Sequence, residues 1–407
     1  MLTFTYTARD PATGNKIKAQ VQAESEVAAA KLIQKEGLAP LEIKVLNETS
    51  GGVVGKIRNR IKTKDKVIFS RQMATLINAG LPLVQSLRNV GSQTPNKAFK
   101  VVINQIISDI EGGKAFSVAL AAHPTVFNDV YISLIASGEV SGTLDKSLER
   151  IANQQEKDAE IISKIRGALA YPVIVILVMM VVVGFMVVKV MPQVEDIYKD
   201  IPGATLPLIT RILLAISHFI IHFWWAVIIA LILLAIAMTR YARTGPGKQV
   251  VDSLKMHMWP IGPLFMKVYM ARFARTGTTL VSSGIPLIKM LEVVGEAINN
   301  VHIQRSIGRA SEKVKGGKSL ADALEGDPNF LPLVPNMLRI GEESGSLEDM
   351  LEKTADYYEK EVDTQIKAIS TIIEPVLMVL LGVVAFIIVA AVLLPIYGLA
   401  GKNIIQT

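Results

Sequence analysis

The sequence predicts a mainly α, polytopic membrane protein with two homologous cytosolic helical-bundle repeats, three transmembrane helices and a small N-terminal α+β module. Three observations predict it. Apolar residues gather into three long runs, a unit of about 100 residues occurs twice, and the start of the chain alternates in a strand-like period where the rest repeats with a helical one.

The 407 residues are 50 % hydrophobic and 19 % charged, with a mean hydropathy of +0.39. Charges need water, so the apolar runs are set apart from them as spans between soluble regions. From Val173 to Val188 every residue is apolar or Gly. With its flanks the run covers 172–191, about 20 residues and one bilayer thickness. The second run, 212–238, has no charged residue apart from the titratable His218 and His222, and is closed by Arg240 and Arg243. The third, 375–397, contains no ionisable side chain except Tyr397 and is led in by Glu374. Buried core helices are the alternative for such runs, but they are usually shorter and broken by polar residues.

Flanking charge sets the orientation. Lys157, Lys164 and Arg166 precede the first span, and Arg240, Arg243, Lys248 and Lys255 follow the second. Between Met191 and Thr210, Lys199 stands against Glu195, Asp196 and Asp200. Positive flanks stay in the cytosol. The N-terminus and residues 239–374 are therefore expected inside, with an outer loop at 192–211 and a short outer tail at 398–407. Met1 to Asp10 has neither a basic nor an apolar leader segment, so insertion is expected to begin at an internal span. The net charge of +7 fits anionic lipid, nucleic acid or an acidic protein partner. The absence of cysteine excludes disulfides, thiolate metal sites and a cysteine nucleophile.

The duplication is explicit in the residues. Phe69, Arg71, Thr75, Leu76, Gly80, Pro82 and Leu83 recur 204 positions later as Phe273, Arg275, Thr279, Leu280, Gly284, Pro286 and Leu287. Gly112-Gly113-Lys114 recurs as Gly316-Gly317-Lys318. After one lost residue, Gly138-Glu139, Ser141-Gly142, Leu144 and Leu148 match Gly341-Glu342, Ser344-Gly345, Leu347 and Leu351 at an offset of 203. Pro172 and Pro192, bracketing the first span, match Pro375 and Pro395 around the third. Each copy is a soluble bundle, 67–171 or within 239–374, followed by its own span, and the second span returns the chain between them. Phe69, Met73, Leu76 and Ile77 share one helical face. Gly80-Leu81-Pro82 and Gly284-Ile285-Pro286 each end one helix and start the next. Ser346 ahead of Leu347-Glu348-Asp349 reads as an N-cap with acids in the first turn.

Residues 1–46 differ in kind. Phe4, Tyr6 and Ala8 alternate with threonines, Pro11 to Gly14 makes a turn, and Ile17, Ala19 and Val21 alternate again. A helix over Val27 to Glu36 closes at Gly37, and Leu41 to Leu46 returns as a strand. Residues 47–66 form a linker carrying Lys56, Arg58, Arg60, Lys62, Lys64 and Lys66.

Several residue groups invite chemistry and are better read as structure. Gly317-Lys318-Ser319 lacks the upstream Gly that a phosphate loop needs, follows a helical pattern, and loses its hydroxyl in the other copy, Gly113-Lys114-Ala115. It reads as an interhelical turn. His218 and His222 lie one helical turn apart beside Trp224 and Trp225, but no third ligand is evident, and such residues are ordinary at a membrane interface. Glu139 and Glu342, with Glu343, Glu348 and Asp349 near the second, read as turn-capping acids and not as a cation site. No catalytic constellation, cofactor site or metal site is expected. Glu374, abutting Pro375, is expected with Pro172 to pack between spans or subunits, because ionisable groups at membrane edges are costly unless paired or functional. The basic linker is expected against anionic headgroups. No aromatic residue interleaves between Lys56 and Lys66, so direct nucleic-acid binding is not expected.

Together the duplication, the two Gly-Glu-x-x-Gly turns and the segment Lys164 to Pro192 resemble the inner-membrane platform family of type IV pilus and type II secretion machines. The residues that carry the resemblance are Gly80 to Leu83, Ser137 to Leu144, Ala170-Tyr171-Pro172, Ile340 to Leu347 and Glu374-Pro375. The resemblance implies a homo-oligomeric platform in the bacterial inner membrane, contacted by a cytosolic hexameric assembly ATPase. Pilin or pseudopilin subunits and other inner-membrane machine components are its further implied partners. Glu139, Glu342 and Glu343 around the turns, with Lys62 and Lys64 in the linker, are the expected partner contacts. A pilus platform is the first expectation, and a type II secretion or DNA-uptake platform the alternative. A small-repeat transporter, the reading from a different class, lacks the spans and any charged or broken midplane segment.

Overall fold

A computed structural model describes residues 2–9, 16–23, 26–35, 37–45, 60–199 and 208–403. The turn at Pro11 to Gly14 and the linker from Asn47 through Arg58 lie outside the described residues.

At the N-terminus, strands β1 (Leu2–Arg9), β2 (Lys16–Ala23) and β3 (Ala39–Val45) form an antiparallel sheet in the order β2-β1-β3, with helix α1 (Glu26–Lys35) between β2 and β3. Tyr6 pairs with Ala19 on one side and Ile43 on the other. Period-two alternation places Tyr6 and Ala8 on the face that packs on Ile33 of α1, with Val21 and Leu38 around them.

Helices α2 (Thr63–Asn78), α3 (Leu83–Gln93), α4 (Lys97–Glu111), α5 (Phe116–Ala121), α6 (Asp129–Ser141) and α7 (Leu144–Phe185) follow. A π-helical turn (Met186–Val190) leads into α8 (Met191–Lys199), and α9 covers Leu208–Tyr241. The second copy comprises α10 (Gly245–His257), α11 (Gly262–Val281), α12 (Leu287–Ile298), α13 (Val301–Lys315), α14 (Leu320–Leu324), α15 (Leu333–Ser344) and α16 (Leu347–Asn403).

Two compact units result. One joins Met1–Ala159 with Thr279–Ala297, and the other joins Glu160–Thr278 with Ile298–Thr407. In the first, Phe69, Phe99, Phe127 and Tyr131 interlock with ring centroids 5.0–6.5 Å apart, within the range of favourable aromatic packing. In the second, Phe273 meets Phe330 edge-on at 5.2 Å. Here Ile303 and Val334 stand where the first copy has Phe99 and Tyr131, so the same position is filled with less aromatic bulk.

The second unit also holds the membrane helices. Ile161 of α7, Leu264 and Val268 of α11, and Val362, Ile366 and Ile369 of α16 form one buried cluster. Lys164–Asp363 at 2.7 Å and Lys267–Glu361 at 2.8 Å flank it. Three helices are long and apolar enough to cross a membrane, lying in Leu144–Asp196, Thr210–Tyr241 and Leu347–Leu393. Their apolar stretches are largely exposed within one chain, as at Leu231 (60 %) and Phe386 (72 %), which is what a lipid-facing or subunit-facing surface requires. α7 and α16 run through Pro172 and Pro375 without a break, so each bundle's last helix is also its span. Helix continues through α8 to Lys199, where the sequence suggests a loop. The cause is apolar packing of Met191 and Val194 on Leu214 and Ala391. The π turn exposes the Val187 carbonyl, which accepts a hydrogen bond from Ser217 Oγ.

Candidate functional site

The strongest shared geometry lies at the two Gly-Glu-x-x-Gly turns. In the first, helix α6 ends at Gly142, whose φ of 71° is left-handed, and Thr143 N donates to Gly138 O at 2.9 Å. In the second, α15 ends at Gly345 with φ 68°. A side chain at either closing Gly would be strained in that conformation. The opening Gly serves a different need. A Cβ on Gly138 would lie 2.5 Å from Ser147 Oγ, and one on Gly341 would lie 2.9 Å from Leu347 Cα. Both glycines let the helix following the turn press directly on the helix before it.

The Glu reaches away from its own turn. Glu139 accepts hydrogen bonds from Phe116 N at 2.5 Å, from Ser117 N at 3.0 Å and from Ser117 Oγ. Glu342 accepts from Leu320 N at 2.6 Å and Ala321 N at 3.0 Å. Each carboxylate satisfies the otherwise unpaired first N–H groups of a short helix, α5 or α14. The sequence reading of these acids as turn caps is right in chemistry, but the helix capped lies 22 or 23 residues earlier. Ser319 adds a second cap on α14, accepting from Asp322 N at 3.0 Å. Gly317-Lys318-Ser319 is thus an interhelical turn, with Gly317 at φ 89°. Ser346 Oγ pairs with Ser344 Oγ at 2.6 Å, while its carbonyl accepts from Met350 N at 3.1 Å.

Beside each turn sits an arginine fork. Arg71 donates to Glu156 at 2.7 and 2.6 Å and to Glu149 at 2.6 Å. Arg275 donates from Nε to Glu359 at 2.8 Å and from Nη2 to Asp356 at 2.5 Å. The hydrogen bonds to Glu156, opposed by partial burial and aided by Glu149, push the Arg71 guanidinium above its ordinary range. The forks tie α2 to α7 in the first bundle and α11 to α16 in the second, and so to the helices that become spans.

Glu343 is exposed on the second turn, and Val140 holds the matching place on the first, 91 % exposed. Sequence reading passes over Val140, although the apolar residue inside an otherwise polar motif is a visible signal. Lys62 and Lys64 are exposed at the start of α2, where Asp65 accepts from Lys62 N at 2.9 Å. Lys66, from the same basic run, instead donates to Thr125 O at 3.3 Å and Val126 O at 2.6 Å. Burial there lowers its pKa. Pro172 is buried, whereas Glu374 and Pro375 are exposed within one chain. His218 pairs with Glu195 at 2.9 Å, and among the described residues no cluster of three or more His, Asp or Glu side chains has the arrangement of a metal site.

The fold and these paired turns define a polytopic membrane protein built from a duplicated unit of helical bundle plus span. A family profile described as type II secretion system (T2SS), protein F, matches residues 69–192 and again 273–395. The N-terminal domain described for the same protein matches residues 1–44. The chain belongs to this family. It is 37 % identical to the type IV pilus assembly protein PilC of Thermus thermophilus over 100 % of both chains. It is 36 % identical to the protein of that name from Myxococcus xanthus, over 96 % of this chain and 93 % of that one. Identity to the type II secretion system protein F of Pseudomonas aeruginosa is 32 %, covering 98 % of this chain and 99 % of the relative.

Proposed function

We propose that the chain is the inner-membrane platform of a type IV pilus assembly machine, coupling a cytosolic assembly ATPase to the addition of pilin subunits. Full-length similarity to proteins named for type IV pilus assembly carries this reading, with identities of 37 % and 36 % against 32 % for the secretion protein F relative. The direct continuation of each bundle into a span supports coupling, because a load on the bundle is passed along an unbroken helix. The platform catalyses no reaction of its own.

In this reading the bundles at 67–171 and within 239–374 face the cytosol beside the module 1–46 and the linker 47–66. The spans are 172–191, 212–238 and 375–397, with 192–211 and 398–407 outside. The ATPase meets the turns: Glu343 and Val140 offer the contact, Glu139 and Glu342 hold its shape, and Lys62 and Lys64 add positive charge. Glu374, Pro172 and Pro375 pack the membrane hub, where several copies assemble beside other machine components.

The test is co-purification of the full chain with the pilus assembly ATPase of its own host. Glu343→Lys combined with Val140→Asp is expected to lower ATPase recovery at least fivefold while leaving the chain in the membrane. Undiminished recovery overturns the assignment of the turns. Restoration of secretion, but not of pili, in deletion strains of the two systems would move the chain to the type II secretion reading, which the protein F relatives support.

A further inference from the structure

The two bundles carry corresponding surfaces, and within the first unit one of them is occupied. There the turn between α11 and α12 sits on the end of α6 and the start of α7. Ser137 Oγ donates to Ser283 O at 2.7 Å, and Arg150 Nη1 donates to Ser282 O at 2.8 Å and Ser283 Oγ at 2.9 Å. Thr279 Oγ1 donates to Gln154 Oε1 at 3.4 Å, both residues being 7 % exposed. The second copy thus supplies a turn, and the first copy a seat for it.

The repeat register names the counterparts. Ser137, Arg150 and Gln154 of the seat correspond to Ile340, Lys353 and Tyr357 on the second bundle. All three are exposed, Ile340 at 50 % and Tyr357 at 48 %. Thr279, Ser282 and Ser283 of the turn correspond to Thr75, Asn78 and Ala79 on the first bundle, and these too are exposed. Each chain therefore has an open seat and an open turn.

The two open surfaces have changed chemistry together. The serines at 137 and 283, joined through Ser137 Oγ and the Ser283 carbonyl, become the apolar pair Ile340 and Ala79, while the cation is kept as Lys353 opposite Asn78. We infer that the seat on the second bundle receives the α2–α3 turn of a second copy of this chain, with Ile340 against Ala79, Lys353 at Asn78 and Tyr357 at Thr75. The occupant is specified by the chain itself, since the homologous turn fills the homologous seat. A contact made from two different patches is heterologous, so copies join head to tail, and the rotation between successive copies sets whether they close into a ring. This goes beyond the platform reading and does not rest on it: the contact between copies is measured without the ATPase.

The chain has no cysteine, so introduced thiols report without background. Full-length Ala79→Cys and Ile340→Cys chains, differently tagged, are co-expressed and oxidised in membranes. A disulfide joining the two tags is expected. A Ser137→Cys, Ser283→Cys double variant provides the control, giving a product within one chain. If the control forms and the mixed product does not, or if only like chains cross-link, the inference fails. In detergent, Ile340→Asp is expected to weaken self-association at least tenfold by light scattering. An unchanged mass distribution overturns the inference, and the exposure of Ile340 keeps the substitution from disturbing the fold.

Discussion

Glu342 bears the same relation to the N-terminus of α14 that Glu139 bears to that of α5: in each bundle one carboxylate receives two successive backbone N–H groups, at 2.6 and 3.0 Å in the second copy and 2.5 and 3.0 Å in the first. The motif's acid fastens a short helix to the long helical hairpin.

Replacing Glu342 with Ala leaves two helix-terminal donors without their anionic acceptor. The loss is expected to cost about 1–3 kcal/mol locally, the range for leaving a backbone donor without its partner. Hydrogen exchange in a peptide covering Leu320 to Leu324 is expected to accelerate at least fivefold, with Glu342→Gln intermediate. An unaltered exchange rate contradicts the capping role.

Gly341→Ala places a methyl 2.9 Å from the Leu347 Cα and 3.2 Å from the Met350 Cβ. The start of α16 has to shift, at a cost of about 1–3 kcal/mol for overpacking. Gly138→Ala meets the Ser147 hydroxyl at 2.5 Å and is expected to behave alike. Proteolysis of membranes under native conditions should show faster cleavage in both variants than in Gly308→Ala, where nothing lies within 4 Å of the added carbon.

The pH response of the second bundle should carry the mark of Asp327. Burial pushes this carboxyl up, but hydrogen bonds from Asn329 N, Arg309 and Ser306 outweigh it and hold the pKa below the ordinary 3.8. A depressed folded-state value contributes stability that is present above the unfolded pKa and lost as pH falls through the folded one. Melting of the wild-type chain should therefore weaken as pH drops below about 4, and Asp327→Asn should flatten that limb while lowering stability at neutral pH. An acid limb identical in the two proteins would sink this assignment.

Glu374→Leu removes an exposed charge from the entrance to the last span. If Glu374 packs between copies or against another membrane component, pilus assembly is expected to fall several-fold. Circular dichroism of the purified chain should keep its helical content. Wild-type piliation would take Glu374 out of the mechanism.

Much of this architecture was legible because its causes are local or periodic. The runs at 172–191, 212–238 and 375–397 declare spans by length and apolarity alone, and the paired glycines expose the duplication. What the residue order hid are choices between distant partners. Nothing in the neighbourhood of Glu139 says that its carboxylate will reach Phe116, because capping over such a separation depends on how α5 folds back on α6. Lys66 looks like its neighbours Lys62 and Lys64, yet it is drawn inward by two carbonyls. The packing of Ser283 on Ser137 was equally hidden, since an amphipathic hairpin does not state which of two homologous bundles it will join.

α16 runs from Leu347 to Asn403 as a single helix of 57 residues, a rod of about 85 Å at 1.5 Å per residue. Such a rod is a lever arm whose fulcrum can lie wherever its middle is gripped. Pivoted at the packing around Val362 and Ile366, about 40 residues from Asn403, each degree of tilt sweeps that end through about 1 Å. A rotation of a few degrees about that grip carries the far tip through the rise of about two residues.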